Sequence, residues 1–328
     1  MPTAVVTGAT GFLGGHIVRL LLENDYKVRA LYRSEATVAA IAELPIEFVQ
    51  GDVSDRASLD RAMHDAPDLV FHVAASTAMW KPRSAQQTLV NVEGTRNVVQ
   101  SALRAKVGRL VHTSSVAVYG LTSEVISETS PHLGRESWIN YARSKALGED
   151  AVHAGIRSGL DAVICNPTHI FGPGDTQNWA RLIMLVDQQK LPGVPPGSGS
   201  FIDVREAAQA HLVAAERGTK GGSYLLGGEE CSFLDLVQRI GRLLGKPAPS
   251  KAIPALAMRA LAQIQDRWSR FSGKEPELTP ESVAFVCQRM RCDISKARRE
   301  LDLKVTPLDH LLADTIAWLR QNRLIQRP

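Results

Sequence analysis

The feature that most restricts what this chain can fold into lies almost at its N-terminus: Ala4-Val5-Val6-Thr7-Gly8-Ala9-Thr10-Gly11-Phe12-Leu13-Gly14-Gly15-His16-Ile17-Val18. The short apolar run Ala4 to Val6 reads as a buried strand. A glycine-rich turn follows, and Ile17, Val18, Leu20, Leu21 and Leu22 then recur in a helical pattern. Strand, turn and helix together make a phosphate cradle. The glycines let the backbone turn tightly and approach a pyrophosphate, whose charge sits at the helix N-terminus. The spacing is G-x-x-G-x-x-G rather than G-x-G-x-x-G. Glycines alone punctuate ordinary turns; the strand before this set and the helix after it are what give it a nucleotide-binding reading. Gly8, Thr10, Gly11, Phe12, Leu13 and Gly14 are the candidate cofactor contacts in the cradle.

Downstream, apolar strand-like runs alternate with helical patterns. The second strand, Lys27 to Tyr32, ends at Arg33-Ser34, where a nucleotide-binding fold meets the adenosine ribose. An acid there would favour NAD; Arg33 offers a fork for a 2′-phosphate and favours NADP(H) over NAD(H). The plainer reading is a surface arginine that ends a strand. A helical stretch through Val38, Ala39, Ile41 and Ala42 leads to a third strand, Ile46 to Gln50, followed by Gly51-Asp52-Val53. Asp52 is placed to take the adenine amine and Val53 to lie against the ring. The next strand, Asp68 to Val73, ends in Ala74-Ala75, small enough for a cofactor to pass close to the backbone or simply for tight packing. The segment from Ser76 to Arg83, with Met79, Trp80 and Pro82, lies past that strand's C-terminal end, where ligands bind in open α/β sheets. Trp80 either walls a substrate pocket or covers the core edge.

A long helix is expected over about Ala85 to Ala105, a strand over Arg109 to Thr113, a helix from about Trp138 to Ser158, and a strand over Asp161 to Asn166, ended by Pro167. This alternation predicts an α/β fold, a Rossmann-type doubly wound parallel sheet with helices on both faces. Residues 1–170 are its nucleotide-binding domain. Beyond them the composition changes: Pro173, Pro192, Pro195, Pro196 and many glycines mark loops and a smaller, mostly helical substrate lobe over 171–328, with a segment near 201–226 returning to the first domain. Leu256, Leu261, Ile264, Trp268 and Phe271 recur at near-helical spacing. That stripe is expected to be core, with a lid over an oily substrate as the alternative.

Composition narrows the class. With 44% hydrophobic and 22% charged residues, the 328-residue chain can build a full core and is not disordered. Its net charge of +4 is spread among interleaved acids and bases, so no nucleic-acid stripe is visible. Cys165, Cys231, Cys287 and Cys292 form no C-x-x-C pair, which removes the zinc and redox-motif readings and fits a reducing compartment. No metal site is expected. No signal peptide precedes the first strand, and no apolar run approaches the roughly 20 residues that span a bilayer. The expectation is a soluble, cytoplasmic protein.

The chemistry points to Tyr141 and Lys145. Four residues apart at the start of a helix, they leave one face. A tyrosine with a pKa near 10 is a poor acid–base at neutral pH, and an adjacent ammonium is expected to lower it. The pair can then pass a proton to or from a substrate oxygen. Lys145 can also hold the nicotinamide ribose, and Ser115, ending a neighbouring strand, can hydrogen-bond the same oxygen. A Tyr-x-x-x-Lys spacing on its own is common on solvated helix faces; the glycine cradle and the serine run give it weight here.

Four stretches carry a resemblance over nearly the whole length: Gly8-Ala9-Thr10-Gly11-Phe12-Leu13-Gly14, Asn91-Val92-Glu93-Gly94-Thr95, Thr113-Ser114-Ser115-Val116-Ala117-Val118-Tyr119-Gly120 and Tyr141-Ala142-Arg143-Ser144-Lys145. The chain resembles an extended short-chain dehydrogenase/reductase. The resemblance implies Ser115, Tyr141 and Lys145 as the catalytic set and NAD(P) in the cradle, with Asn91 and Thr113 among the cofactor contacts. Asn166-Pro167-Thr168-His169-Ile170-Phe171-Gly172-Pro173 resembles the segment that lines the nicotinamide, which implies Pro167 and Ile170 as contacts. Met79, Trp80 and Trp179, with Ser115 and Tyr141, are the candidate substrate lining. Sugar-nucleotide dehydratases carry an Asp-Glu pair where Val116-Ala117 stands here. Epimerases in this superfamily usually have Tyr-Gly at the catalytic helix and small-lobe arginines for a diphosphate; this chain has Tyr141-Ala142 and a Trp-bearing lobe that reads as apolar. The dihydroflavonol reductase and hydroxysteroid dehydrogenase branch is the nearer likeness. The expected function is NADP-dependent reduction of a ketone or aldehyde on an apolar skeleton, or its reverse, in a homodimer joined through the helices near Val90 to Leu103 and Ala142 to Ile156. The alternatives are a sugar-nucleotide epimerase with tightly bound NAD and a non-catalytic NADPH-binding sensor. His169 is the fallback proton donor.

Overall fold

The computed structural model describes residues 1–39 and 41–326. Seven strands form one fully parallel sheet: β1 (Thr3–Thr7), β2 (Lys27–Tyr32), β3 (Glu47–Gln50), β4 (Leu69–His72), β5 (Arg109–Thr113), β6 (Ala162–Pro167) and β9 (Ser223–Leu226). Their spatial order is β3-β2-β1-β4-β5-β6-β9. The order reverses between β1 and β4, where Thr7 pairs with His72. Beyond the strands' C-terminal ends at such a reversal is the crevice where a doubly wound sheet takes a ligand. Val5, Val6, Val70, Phe71, Leu110, Val111, Val163 and Ile164 are all buried. Continuous apolar runs like these belong to strands covered on both faces.

Two helical layers supply that cover. On one face, α1 (Phe12–Glu23), α8 (Val204–Arg217) and α12 (Ser295–Leu301) share a core with β1 and β6: Ile17, Val18 and Leu21 meet Ala207, Leu212 and Leu301. On the other, α3 (Arg56–Ala62), α5 (Thr95–Ala105) and α6 (Asn140–Arg157) pack Leu59, Val98 and Val152 against Val70, Leu110 and Ile164. The helix expected around Val38 to Ala42 is a single turn, α2 (Glu35–Val38), and Ala40 lies outside the described residues. The expected long helix is α4 (Ser84–Thr88) running through a π-helical stretch, Leu89–Gly94, into α5. Such π stretches often sit at functional sites, and this one carries Asn91.

A second sheet of three strands, β7 (His169–Phe171), β8 (Ser198–Asp203) and β10 (Glu229–Ser232), runs in the order β10-β8-β7. It joins α7 (Ala180–Asp187), α9 (Phe233–Leu244) and α13 (Leu308–Gln321) around a third core that includes Phe171, Ile183, Phe201, Phe233, Leu236 and Leu311. Two further helices, α10 (Ala255–Ser272) and α11 (Pro280–Val286), pack on each other through Met258, Ala262 and Val283.

The stripe expected to be core on α10 is not buried. Leu256, Leu261, Ile264, Trp268 and Phe271 all face solvent, and the helix instead buries Met258, Ala262, Asp266 and Ser269. One large apolar residue, Met258, with Ala262 and two polar residues makes the inward face, so the apolar period marks a helix but not its covered side.

Candidate active site

The cradle forms where β1 hands over to α1. Gly8 has a φ of +72°, and a Cβ there would come within 2.7 Å of the Ala74 backbone nitrogen. A Cβ at Gly14 would lie 2.1 Å from the Gly8 carbonyl oxygen. The first position needs a left-handed turn and both need the bare backbone. Gly11 caps α1 without a side-chain hydrogen bond, and the first turn holds no acid. The opening amides of the helix therefore aim an uncompensated positive end at the crevice. Gly8, Thr10, Gly11, Phe12, Leu13 and Gly14 stand together here, and these features fit a dinucleotide pyrophosphate.

At the adenosine end, Arg33 leaves β2 with an exposed side chain, its Nε 3.9 Å from an Asp52 carboxylate oxygen. Asp52 also accepts from the Ser54 amide at 2.8 Å and from the Ser54 hydroxyl at 2.6 Å. Val53 is buried in the core against Gly94 rather than standing free for a ring. Ala74 and Ala75 follow β4, and the Ala74 amide donates to Thr7 Oγ1 at 3.3 Å.

The Asn91 side chain is engaged within the protein. Its Oδ1 accepts from the Ser76 amide at 2.7 Å, and its Nδ2 donates to the Ser76 carbonyl and to Ser144 Oγ, each at 3.0 Å. With both ends of its amide engaged, Asn91 ties the loop after β4 to α6 and so positions Tyr141 and Lys145. Thr113 stands beside the lysine: its carbonyl accepts from Lys145 Nζ at 2.8 Å, and its hydroxyl bonds His211 Nε2 at 3.0 Å.

Ser115 follows β5 and caps a 3-10 turn, its Oγ accepting from the Ala117 amide at 3.2 Å. The structure brings it to Tyr141 on the first turn of α6. Burial raises the Tyr141 phenol above its ordinary pKa, and a side-chain hydrogen bond with Ser115 pulls the other way. The expected lowering by Lys145 is not seen: burial dominates the shift of the phenol, and the Lys145 ammonium donates to the Thr113 carbonyl. Lys145 is itself buried, and desolvation brings it down to about 8, with Glu149 holding it up. At neutral pH the phenol carries its proton and the lysine its charge.

Glu149 is the residue that sequence reasoning missed. It is fully buried, accepts from Asn166 Nδ2 at 2.6 Å and lies 3.3 Å from His132 Nδ1. Its signal was available: Tyr141, Lys145 and Glu149 fall at i, i+4 and i+8 on one face of α6.

Around the phenol, Met79, Ala117, Ile139, Ala142, Ala284 and Phe285 pack with Tyr141 in one apolar cluster. Met79 is thus at the site as expected, and α11 adds Ala284 and Phe285. Trp80 is half-buried, its indole nitrogen enclosed without a partner and its ring 6.0 Å from the Arg83 guanidinium carbon. Trp179 is stacked at 5.5 Å on Phe233 and lies 4.5 Å from the His169 ring, packed against the aromatic core of the lobe. His169 shares that nest, and burial lowers it to about 4. A histidine enclosed among rings and neutral at working pH is a poor fallback acid. Pro167 ends β6, and Ile170 packs against the core of α1 and α8.

A cleft of about 740 Å³ lies near the site, lined by Leu121, Thr122, Gln288, Arg259, Arg289 and Arg291 among others. Three arginines stand on this cleft beside its apolar lining, a feature that the reading of the lobe as apolar left out. Among the described residues, no group of three or more His, Cys, Asp or Glu is placed to hold a metal, and no helix is long and apolar enough to cross a membrane.

Known proteins bear on this geometry directly. Residues 4–227 match the NAD dependent epimerase/dehydratase family. The chain belongs to that family. It is an NAD(P)-dependent enzyme of the extended short-chain dehydrogenase/reductase type, acting on CH-OH or C=O groups. It is 35% identical over 331 residues to sterol demethylase protein B of Methylococcus capsulatus, covering 98% of this chain and 100% of that one. It is 32% identical over 329 residues to a Synechocystis sp. protein named, provisionally, a dihydroflavonol 4-reductase, covering 98% and 95%. The solved structure of gox2253 superposes with a TM-score of 0.85 at 32% identity, covering 99% of this chain and 100% of that one.

Proposed function

We propose that this family member is a cytoplasmic, homodimeric, NADP-dependent reductase of a ketone or aldehyde on an apolar skeleton, working also in reverse. The observation that carries this reading is the protonated phenol of Tyr141, hydrogen-bonded to Ser115 and set among Met79, Ala117, Ala284 and Phe285. An apolar wall around one proton donor suits a carbonyl on a hydrocarbon body, since a polar substrate would leave its own groups unpaired there. NADP(H), when bound, supplies the hydride; the Gly8–Gly14 cradle and Arg33 would hold it. Tyr141 donates its proton to the carbonyl oxygen, Ser115 orients that oxygen, and Lys145 places a positive charge beneath the developing alkoxide. Pro167 and Ile170 would flank the nicotinamide. The lobe over 171–328 would take the substrate. The four free thiols fit a reducing compartment. The helices near Val90 to Leu103 and Ala142 to Ile156 would join the subunits.

The test is NADPH consumption with a panel of apolar ketones by wild type and Tyr141→Phe. Turnover with at least one ketone, lost in the variant with NADPH affinity kept, supports the reading. No consumption across the panel contradicts it. A second reading, sugar-nucleotide epimerisation, is favoured by the Arg259, Arg289 and Arg291 cleft, whose charge suits a diphosphate. NAD retained through purification, with interconversion of a nucleotide sugar, would replace the first reading by the second.

A further inference from the structure

The outer face of α10 belongs neither to a core nor to the site. Helical phase places Leu256, Ala257, Ala260, Leu261, Ile264, Trp268 and Phe271 on one side. Leu256, Ile264, Trp268 and Phe271 are 79%, 64%, 72% and 88% exposed. Single exposed apolar residues are ordinary, but a row of them on one helix marks an interaction surface. The helix would extend about 27 Å at 1.5 Å per residue.

Charge says what fits there. From Lys251 to Lys274 the chain carries Lys251, Arg259, Arg267, Arg270 and Lys274 against one acid, Asp266, which is on the buried face and bonded to Arg270 at 2.8 Å. Glu275, next in sequence, is 3.2 Å from Arg83. The chain has 38 Lys and Arg against 34 Asp and Glu, so the five bases and one acid of this segment leave 33 of each elsewhere, and its +4 equals the net charge of the whole chain. Tryptophan and phenylalanine on one face with arginines along its margins is the composition of a helix that lies in a membrane interface. The helix is not apolar enough to span. A second copy of the same face is a poor occupant, since a two-fold contact would bring two arginine-flanked surfaces together.

We infer that α10 docks this enzyme on an anionic bilayer, with Leu256, Leu261, Ile264, Trp268 and Phe271 in the acyl boundary and Arg267 and Arg270 among acidic headgroups, while Arg259 turns to the cleft. The same helix packs inward on α11 through Met258, Ala262 and Val283, and α11 presents Ala284 and Phe285 to Tyr141. Docking therefore sets the wall of the active site two helices from the lipid. Delivery of an apolar ketone from that lipid rests on the reductase reading; the docking itself does not.

The experiment is co-sedimentation of the full chain with vesicles of phosphatidylcholine and phosphatidylglycerol in equal parts, and with phosphatidylcholine alone. Wild type should pellet with the mixed vesicles at least about tenfold more strongly than with the neutral ones, because each base near an acidic surface adds to binding. The Ile264→Ser, Trp268→Ser, Phe271→Ser triple variant should remain in the supernatant at an unchanged thermal midpoint, since none of these side chains is in a core. Arg267→Glu with Arg270→Glu should abolish the preference for acidic lipid. Wild type left in the supernatant, equal binding to both vesicles, or a triple variant that pellets like wild type would each overturn the inference. So would a lipid-independent dimer that the triple variant converts to monomer. Because no arm reads turnover, failure here is distinguishable from failure of the reductase reading.

Discussion

Helices α1 and α10 carry the same kind of apolar period, and the fold uses them in opposite ways. In α1 the large residues Leu13, Ile17, Val18 and Leu21 are buried against the sheet and α8. In α10 Leu256, Leu261, Ile264, Trp268 and Phe271 are outside, and Met258, Ala262, Asp266 and Ser269 are inside. Period identifies a helix in both cases, but which side is covered depends on the size of the residues facing the neighbour. The sheet side of α1 packs large side chains against the strands; α10 meets α11 through Met258, Ala262 and Val283.

The widest separation between the two helices should come from paired truncations. Leu21→Ala removes a fully buried side chain and should cost about 2–5 kcal/mol. Phe271→Ala, on the outer face, should stay within about 0.5 kcal/mol. Urea unfolding of both variants measures this, and equal losses would break the comparison.

Arg33 probes the α1 side at the cofactor. A charge-assisted contact to a 2′-phosphate is worth roughly 1.5–3 kcal/mol. Arg33→Ala should therefore weaken NADPH binding by about tenfold to 150-fold and leave NADH nearly unchanged. Titration of both cofactors decides it, and equal affinities in wild type would remove the NADP preference.

Acid should loosen the buried regions and spare α10, which has no histidine. Burial lowers His72 to about 3 and His169 and His211 to about 4. Their folded pKa values lie below the unfolded 6.5, so the unfolded chain binds more protons as pH falls. Stability should therefore drop as pH falls from 6.5 toward 4. Unfolding midpoints across that window test the sign.

The smallest expected change concerns Glu149. Lys145 sits at about 8 because burial lowers it and the Glu149 charge resists. The alkaline limb of turnover should lie near pH 8, and Glu149→Gln should move it lower. An unmoved limb with lowered turnover would make Glu149 a merely structural residue.

Much of this was legible in the sequence for definite reasons. The cradle is a local motif, and the Gly8 and Gly14 constraints are ones that only glycine meets. Tyr141 and Lys145 lie one helical turn apart, so their convergence needs no tertiary knowledge, and Glu149 follows by the same spacing. What depends on partners distant in the chain was not legible. Asn91 meets Ser76 and Ser144, which engage the amide that a local reading left free for a cofactor. Trp179 and His169 join Phe201 and Phe233 in the lobe core, and the three arginines of one cleft are scattered over more than thirty positions. The Tyr141 phenol rises rather than falls because it is buried, and burial by segments distant in the chain cannot be read from a four-residue spacing.

The central claim is that Tyr141, buried and protonated, gives its proton to the substrate oxygen. The measurement is single-turnover reduction by Tyr141→Phe at saturating NADPH, with wild type alongside. The account predicts normal NADPH binding and a rate lower by about 10²–10⁴-fold, the usual contribution of a general acid. A rate within about threefold of wild type, far short of that contribution, would contradict it and leave the proton to another donor.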